Sequence, residues 1–264
     1  TEIYTLSLHD ALPISFPDCF LQHPHVTVLI FDFDGTIADT LETIVTITNR
    51  LAAQYGYPQT TPERLKYLRT LSTGELLAQS HVPLFQVPFL MRRVRRELRH
   101  DVDSIQPFKD LGDVLIALAA DGHHILIASS NAPSTINPFL KRHGLSQVFS
   151  SVYGNIGLLG KARSLRRIMR RHRLVPEEIL YVGDETRDIE AARCQGLAVA
   201  AVSWGFSDRT ALEAQGPTFL VDTPEDLYRA VGEFHRSQRR SSMLMGSKRG
   251  ERAETPSYVR HAAD

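Results

Sequence analysis

Cysteine, tryptophan and long apolar runs are all scarce in this sequence of 264 residues. The two cysteines, Cys19 and Cys194, lie far apart in the chain, which fits a reduced compartment and argues against a disulfide scaffold. No apolar run approaches the roughly 20 residues that cross a bilayer, and no charged start followed by an apolar block indicates a signal peptide. We therefore expect a cytoplasmic protein without a membrane partner.

The sequence also lacks a net charge, because 30 basic and 30 acidic residues cancel. A balanced charge provides no overall field that would attract nucleic acid or an anionic membrane surface. A small molecule is therefore the expected partner, and nucleic acid is not. With 42% apolar residues, the chain can bury a sizeable core, either as one large domain or as a core with a smaller insert.

Short apolar runs recur along the chain and predict the buried strands of a parallel sheet. The first, Val26–Phe31, ends abruptly at Asp32. The others are His124–Ser129, Glu178–Asp184, Ala198–Ser203 and the weaker Thr218–Val221. Helical segments of about ten to fifteen residues lie between them, at 109–121, 162–174, 186–195 and 225–235. This alternation predicts an α/β fold with helices on both faces of the sheet.

Residues 40–104 break the alternation, because they show helical periodicity and no convincing strand. We predict that they form a separate helical insert between two parts of a core, at 26–39 and 105–235. Asp39 and Glu42 have the spacing of a capping box at the start of the first helix of this insert.

A cluster of arginines lies later in the same insert, at Arg92, Arg93, Arg95, Arg96 and Arg99. The preferred interpretation is a solvated helix face, on which long cationic side chains reach into water. A surface that attracts anions is the alternative.

Both ends of the chain fall outside the predicted core. Residues 1–25 form an N-terminal extension, and Thr1–Ile14 resembles the translation of a widely used sequencing adapter, so we exclude it from the fold. Residues 236–264 are rich in Arg, Ser, Gly and Lys and contain few apolar side chains. Such a segment buries too little apolar surface to offset its ordering entropy, which predicts a disordered basic tail.

Two carboxylates, Asp32 and Asp34, lie where the first predicted strand opens into a loop. Open α/β sheets bind ligands at the carboxyl ends of their strands. Carboxylates this close repel each other unless a cation or a shared proton lies between them, so their spacing indicates a metal site. The alternative is that both side chains only cap a turn.

A second acidic cluster follows another predicted strand, so that Asp184 can reach the same edge of the sheet. Glu185 and Asp188 follow it closely. These two could instead be first-turn acids that favour the N-terminus of a helix.

Ser130 and Asn131 close the strand predicted at His124–Ser129, where a hydroxyl and free backbone amides form a natural phosphate cradle. Both residue types are also ordinary turn formers, so the pair alone does not define a site. Lys161 lies at the predicted start of a helix, where a cation opposes the macrodipole. A compensating anion is therefore expected beside it, and a surface lysine is the alternative.

Taken together, the Asp-x-Asp pair, Ser-Asn, Lys and Gly-Asp-x-x-x-Asp resemble, in this order, the haloacid dehalogenase superfamily. The resemblance extends from Val26 to Val231 and is greatest to phosphoglycolate phosphatase-like members. It implies a Rossmann-like core with a mobile helical cap, for which residues 40–104 are the candidate. It also implies a magnesium-dependent phosphatase of a small phosphorylated metabolite, with phosphoglycolate as the first choice of substrate.

The same resemblance assigns roles to the acidic residues. Asp32 is implied to be the nucleophile that forms an aspartyl-phosphate, and Asp34 the acid that protonates the leaving alcohol and then activates water. Magnesium is implied to be held by Asp32, the backbone carbonyl of Asp34 and Asp184.

Around the phosphoryl group, the resemblance places Ser130, the Asn131 amide and Lys161 as charge-stabilising groups. It gives Asp188 the task of orienting Lys161 or a metal-bound water. One departure from the family pattern is Pro138, which predicts a break or kink in the helix after the phosphate loop.

Substrate specificity is expected from the insert, where Arg69, Ser72 and Thr73 are the candidates. A beta-phosphoglucomutase-like phosphomutase is an alternative function, but residues 71–74 lack the arginine that such relatives carry in this loop. A non-catalytic phospho-acceptor domain is another alternative, although such domains carry their acceptor on the third strand and have no cap.

Overall fold

The computed structural model describes residues 27–157 and 160–250, with side chains of the last helix as far as Arg240. Its six strands are β1 (Val28–Phe31), β2 (His124–Ala128), β3 (Phe149–Tyr153), β4 (Ile179–Gly183), β5 (Ala198–Val202) and β6 (Phe219–Val221). They form one parallel sheet in the order β3-β2-β1-β4-β5-β6. β1 therefore lies in the interior of the sheet, between β2 and β4.

Ten α-helices and one short 3₁₀ helix, Pro176–Glu178, surround or extend this sheet in the described part of the chain. The α-helices are α1 (Leu41–Tyr55), α2 (Pro62–Arg69), α3 (Thr73–Gln79), α4 (Val87–Asp101), α5 (Leu111–Ala120), α6 (Pro133–Arg142), α7 (Lys161–His172), α8 (Thr186–Arg193), α9 (Arg209–Ala214) and α10 (Pro224–Gly250).

Helices cover both faces of the sheet, which confirms the predicted α/β architecture. Side chains of a strand alternate between its two faces. In β1, Leu29 and Phe31 accordingly join an apolar core with α5, α6 and α10, while Val28 and Ile30 join a second core with α7, α8 and α9. The central strand is thus fully buried, as its continuous apolar run predicted.

Helices α1 to α4 occupy the segment in which helices and no strand were predicted. This segment leaves and rejoins the sheet through two adjacent linkers. Asp39 N–H donates to the carbonyl of Gln106 at 2.9 Å, and Phe108 N–H donates to the carbonyl of Ile37 at 3.1 Å. The division of the chain into a core and a separate cap stays a prediction.

The capping box predicted at Asp39 and Glu42 is wrong. Helix α1 has Thr40 as its N-cap residue, and no side chain forms a capping hydrogen bond there. The Asp39 N–H instead donates to the other linker. The start of α1 is therefore positioned by this tertiary contact and not by a local cap.

Two elements of the core, β3 and α9, were not predicted, and α6 was predicted only as a helix broken or kinked at Pro138. β3 is an edge strand that pairs only with β2 and is mostly half-buried, so its apolar pattern is short. The break that was one alternative at Pro138 is wrong, because α6 continues through this residue, and a kink there stays a prediction. Ile136 and Phe139 are fully buried on either side of the proline and anchor the helix to the core.

The last helix extends further than predicted. α10 continues to Gly250, so residues 236–250 are helical where their composition predicted disorder. Arg, Gln, Met and Leu have high helix propensities, and the buried residues Leu227, Val231 and Phe234 anchor the beginning of the helix to the core. A helix that is already nucleated extends more easily than a new one forms.

The predicted N-terminal extension at residues 1–25, with Thr1–Ile14, lies outside the described residues, as does the tail beyond residue 250. None of the helices in the described ranges is both long enough and apolar enough to cross a membrane.

Candidate active site

The acids that follow the two central strands meet at one edge of the sheet. From β1 the chain moves outward to β2 and β3, and it later returns to β4 on the other side of β1. At such a reversal of strand order, a crevice opens beyond the carboxyl ends of the strands. Asp32 follows β1 and Asp184 follows β4, so both acids lie at this reversal.

A buried lysine connects two of the acids. Lys161, the first residue of α7, donates from Nζ to Asp32 Oδ2 at 2.5 Å and also to Asp188 Oδ1. Burial alone would lower the pKa of Lys161, but the charges of Asp188 and Asp32 raise it well above its ordinary value. The lysine is therefore a permanent cation, and the two carboxylates offset its unfavourable position at a helix N-terminus.

The carboxylate of Asp184 lies in a narrow pocket, where both of its oxygens accept hydrogen bonds. Its Oδ1 accepts from the Thr36 hydroxyl at 2.6 Å, and its Oδ2 accepts from the Phe206 N–H at 2.7 Å. Gly35 has a positive φ of 73°, and a Cβ there would lie 2.1 Å from Asp184 Oδ2; a Cβ at Gly205 would lie 2.2 Å from the same atom. Glycine at these positions therefore lets two backbone segments approach the carboxylate.

Asp34 is connected to the loop that follows β2. Asn131 donates from Nδ2 to both carboxylate oxygens of Asp34, at 3.0 and 2.9 Å. The backbone N–H of Asn131, which was predicted to bind phosphate, here donates to Ser129 Oγ at 3.0 Å. The Ser130 carbonyl accepts from Arg95 Nη1 at 3.1 Å, and its hydroxyl has no partner among the described residues.

Negative charge is concentrated where these groups meet. One oxygen from each of Asp32, Asp184 and Asp188 lies within 4.8 Å of the others, and all three residues are buried. Burial raises the pKa of Asp184 well above its ordinary value, and the charges of Glu185, Asp188 and Asp32 raise it further. Burial also raises the pKa of Asp32 to about 6, although Lys161 opposes this shift.

The donor set fits a hard divalent cation. Magnesium and calcium prefer carboxylate and carbonyl oxygens, and a nearby cation is what lowers the free energy of closely spaced buried carboxylates. The cluster contains the predicted ligands Asp32 and Asp184. It also contains Asp188, whose Oδ1 is bound to Lys161 and whose Oδ2 accepts from the Glu185 N–H at 3.2 Å.

The three candidate specificity residues lie near this edge of the sheet, but their polar groups are engaged within the protein. Thr73 N–H donates to Thr186 Oγ1 at 3.0 Å. Ser72 caps α3 in a capping box with Glu75. Arg69 donates to two backbone carbonyls in the loop after β5. A role of these residues toward a substrate stays a prediction.

Several contributors to the site were not predicted, among them Thr36, Arg95 and the amide of Phe206. The sequence did contain a signal for Arg95. This residue follows Val94 directly and precedes Leu98 by three positions, and both of those residues are buried in α4, so Arg95 lies at the border of the apolar face. A backbone amide such as that of Phe206 has no signature in the sequence. Its position depends on how β5 and its loop pack.

The comparisons with known proteins agree with this arrangement. Residues 29–202 match the family model of haloacid dehalogenase-like hydrolases. The phosphoglycolate phosphatase of Synechococcus elongatus is 39% identical to this chain over 208 residues, which cover 79% of this chain and 98% of that protein.

Solved structures also share the fold. A protein described as a predicted phosphatase, from Clostridium acetobutylicum, aligns with a TM-score of 0.68 at 17% identity and covers 79% of this chain and 99% of its own. A haloacid dehalogenase-like hydrolase from Streptococcus pneumoniae aligns with a TM-score of 0.64 at 21% identity and covers 78% of this chain and 98% of its own. At these identities the similarity concerns the fold alone.

The environment of Asp34 predicts a pH-dependent cost in stability. Burial, with the charge of Asp32 next, raises the pKa of Asp34 from 3.8 to about 7. Protonated Asp34 therefore contributes to the free energy of unfolding. This contribution is complete below the pKa of Asp34 in the unfolded state and is lost as the pH rises through about 7. We expect Asp34→Asn to be more stable than wild type at pH 8 in excess chelator, by about 1–2 kcal/mol after allowance for the solvent contact of this half-buried group.

Urea denaturation at pH 5 and pH 8 measures this difference, which should shrink at the lower pH. Asn131 can accommodate the new amide, because its Oδ1 has no partner among the described residues and can accept after a rotation of the side chain. Parallel stability profiles of the two proteins from pH 5 to pH 8 would contradict the raised pKa.

Proposed function

We propose that this chain, which belongs to the haloacid dehalogenase-like hydrolase family, is a magnesium-dependent phosphoglycolate phosphatase that forms an aspartyl-phosphate on Asp32. The chain is a phosphoric monoester hydrolase, as its relatives indicate. The proposal of magnesium and of an aspartyl-phosphate rests on one observation. Asp32, Lys161 and Asp184 lie together at the reversal of strand order, and Asp34 lies two residues after Asp32.

Magnesium is assigned to Asp32, Asp184 and the backbone carbonyl of Asp34. Asp188 belongs to the same acidic cluster, and we assign it to the orientation of Lys161, because its Oδ1 accepts from the same ammonium group that donates to Asp32. When bound, the ion neutralises negative charge on the transferring phosphoryl oxygens.

The first half of the reaction transfers the phosphoryl group to the protein. One carboxylate oxygen of Asp32 attacks phosphorus, and the bond between phosphorus and the alcohol oxygen breaks. Asp34, with its pKa raised to about 7, is protonated in a sufficient fraction near neutral pH to give its proton to that oxygen. Lys161 holds Asp32 in place and, with Ser130, stabilises charge on the phosphoryl group.

The second half releases phosphate. Asp34, now a carboxylate, takes a proton from a water molecule that attacks phosphorus, and the bond between phosphorus and Asp32 breaks. Asp32 is thereby restored as a carboxylate, and Asp34 is again protonated. Covalent capture divides one difficult displacement into two easier ones.

A carboxylate distinguishes phosphoglycolate from simple alkyl phosphates, and Arg95 is the residue that we assign to it. Its guanidinium extends from α4 to the Ser130 carbonyl, and its remaining N–H groups have no hydrogen-bond partner in the part of the chain that the structure describes. Burial lowers the pKa of Arg95, and the charge of Asp34 raises it, which indicates that the cation lies near the reacting groups. A guanidinium binds a carboxylate through two parallel hydrogen bonds.

Substitution of the two acids separates their roles. Asp32→Asn removes the nucleophile, so turnover is expected to fall to background. Asp34→Asn keeps the nucleophile and loses the acid and base, which costs about 10²- to 10⁴-fold. With p-nitrophenyl phosphate, whose leaving group hardly needs a proton, Asp34→Asn should accumulate phosphate on Asp32, because hydrolysis of the intermediate still needs the base.

Rapid quenching with labelled ester measures this intermediate as acid-stable, hydroxylamine-sensitive label on the protein. The mechanism is wrong if the label resides on a serine or histidine, or if Asp32→Asn retains the turnover of the wild type.

Removal of the metal provides a second test. A chelator should abolish turnover, and calcium should not restore it, because calcium prefers more ligands and a looser geometry than magnesium. Asp184→Asn is expected to raise the magnesium concentration for half-maximal activity by at least about tenfold. Asp113→Asn, at an exposed position of α5, is the matched control. Full activity in excess chelator would refute the assignment of a metal.

The assignment of Arg95 predicts a loss of discrimination. In Arg95→Met, the ratio of kcat/KM for phosphoglycolate to kcat/KM for ethyl phosphate should fall by roughly 10- to 100-fold, as expected for a lost charged hydrogen bond. Arg96→Met, at the exposed neighbouring position, should keep the wild-type ratio. Equal losses for both esters would show that Arg95 does not recognise the carboxylate.

A further inference from the structure

One peptide group lies between the helical insert and the carboxylate of Asp184. It joins Gly205 to Phe206 in the loop after β5. Its N–H, which belongs to Phe206, donates to Asp184 Oδ2 at 2.7 Å, and its carbonyl, which belongs to Gly205, accepts from Arg69 Nη2 at 2.9 Å. Because a peptide group is rigid and planar, a movement of its oxygen also moves its N–H.

Arg69 binds this loop at more than one point. Its Nε donates to the Phe206 carbonyl at 3.1 Å, and its own carbonyl accepts from the Asp208 N–H at 2.8 Å. The guanidinium therefore spans two successive carbonyls, which its planar arrangement of donors allows and a lysine would not. The contact connects the C-terminal end of α2 to the wall of the Asp184 pocket.

The pocket leaves little room for the loop to adjust. A Cβ added to Gly205 would lie 2.2 Å from Asp184 Oδ2 and 2.3 Å from the Gly35 carbonyl oxygen. On the other side, Thr36 donates to Asp184 Oδ1 at 2.6 Å, and the Thr36 carbonyl accepts from the indole N–H of Trp204 at 3.2 Å. A small displacement of the loop is thus transmitted to both oxygens of the carboxylate.

We propose that Arg69 is a positioning residue that couples the docking of the helical insert to metal binding by Asp184. With α2 docked, Arg69 holds the Gly205–Phe206 peptide group so that its N–H orients the carboxylate. Without this contact, Asp184 loses a fixed donor and binds the ion less tightly. The inference rests on the proposed metal at Asp184, and coupling of this kind is reciprocal, so that metal binding also favours docking.

The chain contains a single tryptophan, Trp204, and this residue lies within the loop in question. Its fluorescence can therefore follow magnesium binding without any measurement of turnover. The test titrates metal-free protein with magnesium and records tryptophan emission and, independently, the heat of binding. The proteins compared are wild type, Arg69→Met, Arg69→Lys and Lys66→Met, which alters an exposed cation in the last turn of the same helix.

We expect the Kd for magnesium to rise about tenfold in Arg69→Met, in line with other residues that orient a metal ligand. Arg69→Lys should lie between this variant and the wild type, because one ammonium cannot span both carbonyls. Lys66→Met should bind as the wild type does. Magnesium should also slow amide hydrogen exchange in α2 of the wild type, and this effect should be lost in Arg69→Met.

The outcomes separate this inference from the proposed function. If the wild type and both Arg69 variants bind magnesium equally, the coupling is refuted and the proposed function stands. If the wild type binds no magnesium in either measurement, the metal assignment itself fails, and the inference with it. If the circular dichroism spectrum of Arg69→Met shows that this variant does not fold, the Kd of Arg69→Lys for magnesium provides the test. An unchanged Kd in Arg69→Lys then refutes the coupling.

Discussion

Negative charge buried at one point of the sheet is the constraint on which the rest of this site depends. Asp32, Asp184 and Asp188 bring their oxygens within 4.8 Å of one another in a region that solvent hardly reaches. A buried carboxylate without partners is costly, so each must receive donors. Lys161 provides them for two of the acids, and Thr36 with a loop amide provides them for the third.

These donors come from parts of the chain that are distant in sequence, and the sheet is what brings them together. Asp32 directly follows β1 and Asp184 directly follows β4, and these two strands are neighbours in the sheet. Lys161 begins α7, which precedes β4 and packs on the opposite face of the sheet from α5 and α6. The buried carboxylates therefore receive these donors only when the strands have their native order, which links the chemistry of the site to the topology of the sheet.

The sheet and its acids could be predicted because buried parallel strands leave continuous apolar runs that end in polar residues. Asp32 and Asp184 were found in this way. The family resemblance assigned roles to Lys161 and Ser130 from their places in the order of the motifs. The loop around Phe206 could not be found, since it acts through backbone groups that any residue possesses. The inward position of Arg95 and the entry to α1 at Asp39 depend on how helices pack, which local spacing does not determine.

The pairing of the two linkers, residues 37–39 with residues 106–108, has a consequence for how such a protein can change. Because the chain departs and returns at neighbouring points, a change in the length of the segment between them need not alter the register of β1 and β2. The entropic cost of lengthening a loop grows slowly with its length. The paired linkers therefore form an attachment point at which folded segments of different length, with their two ends close together, could be accommodated without disturbing the sheet.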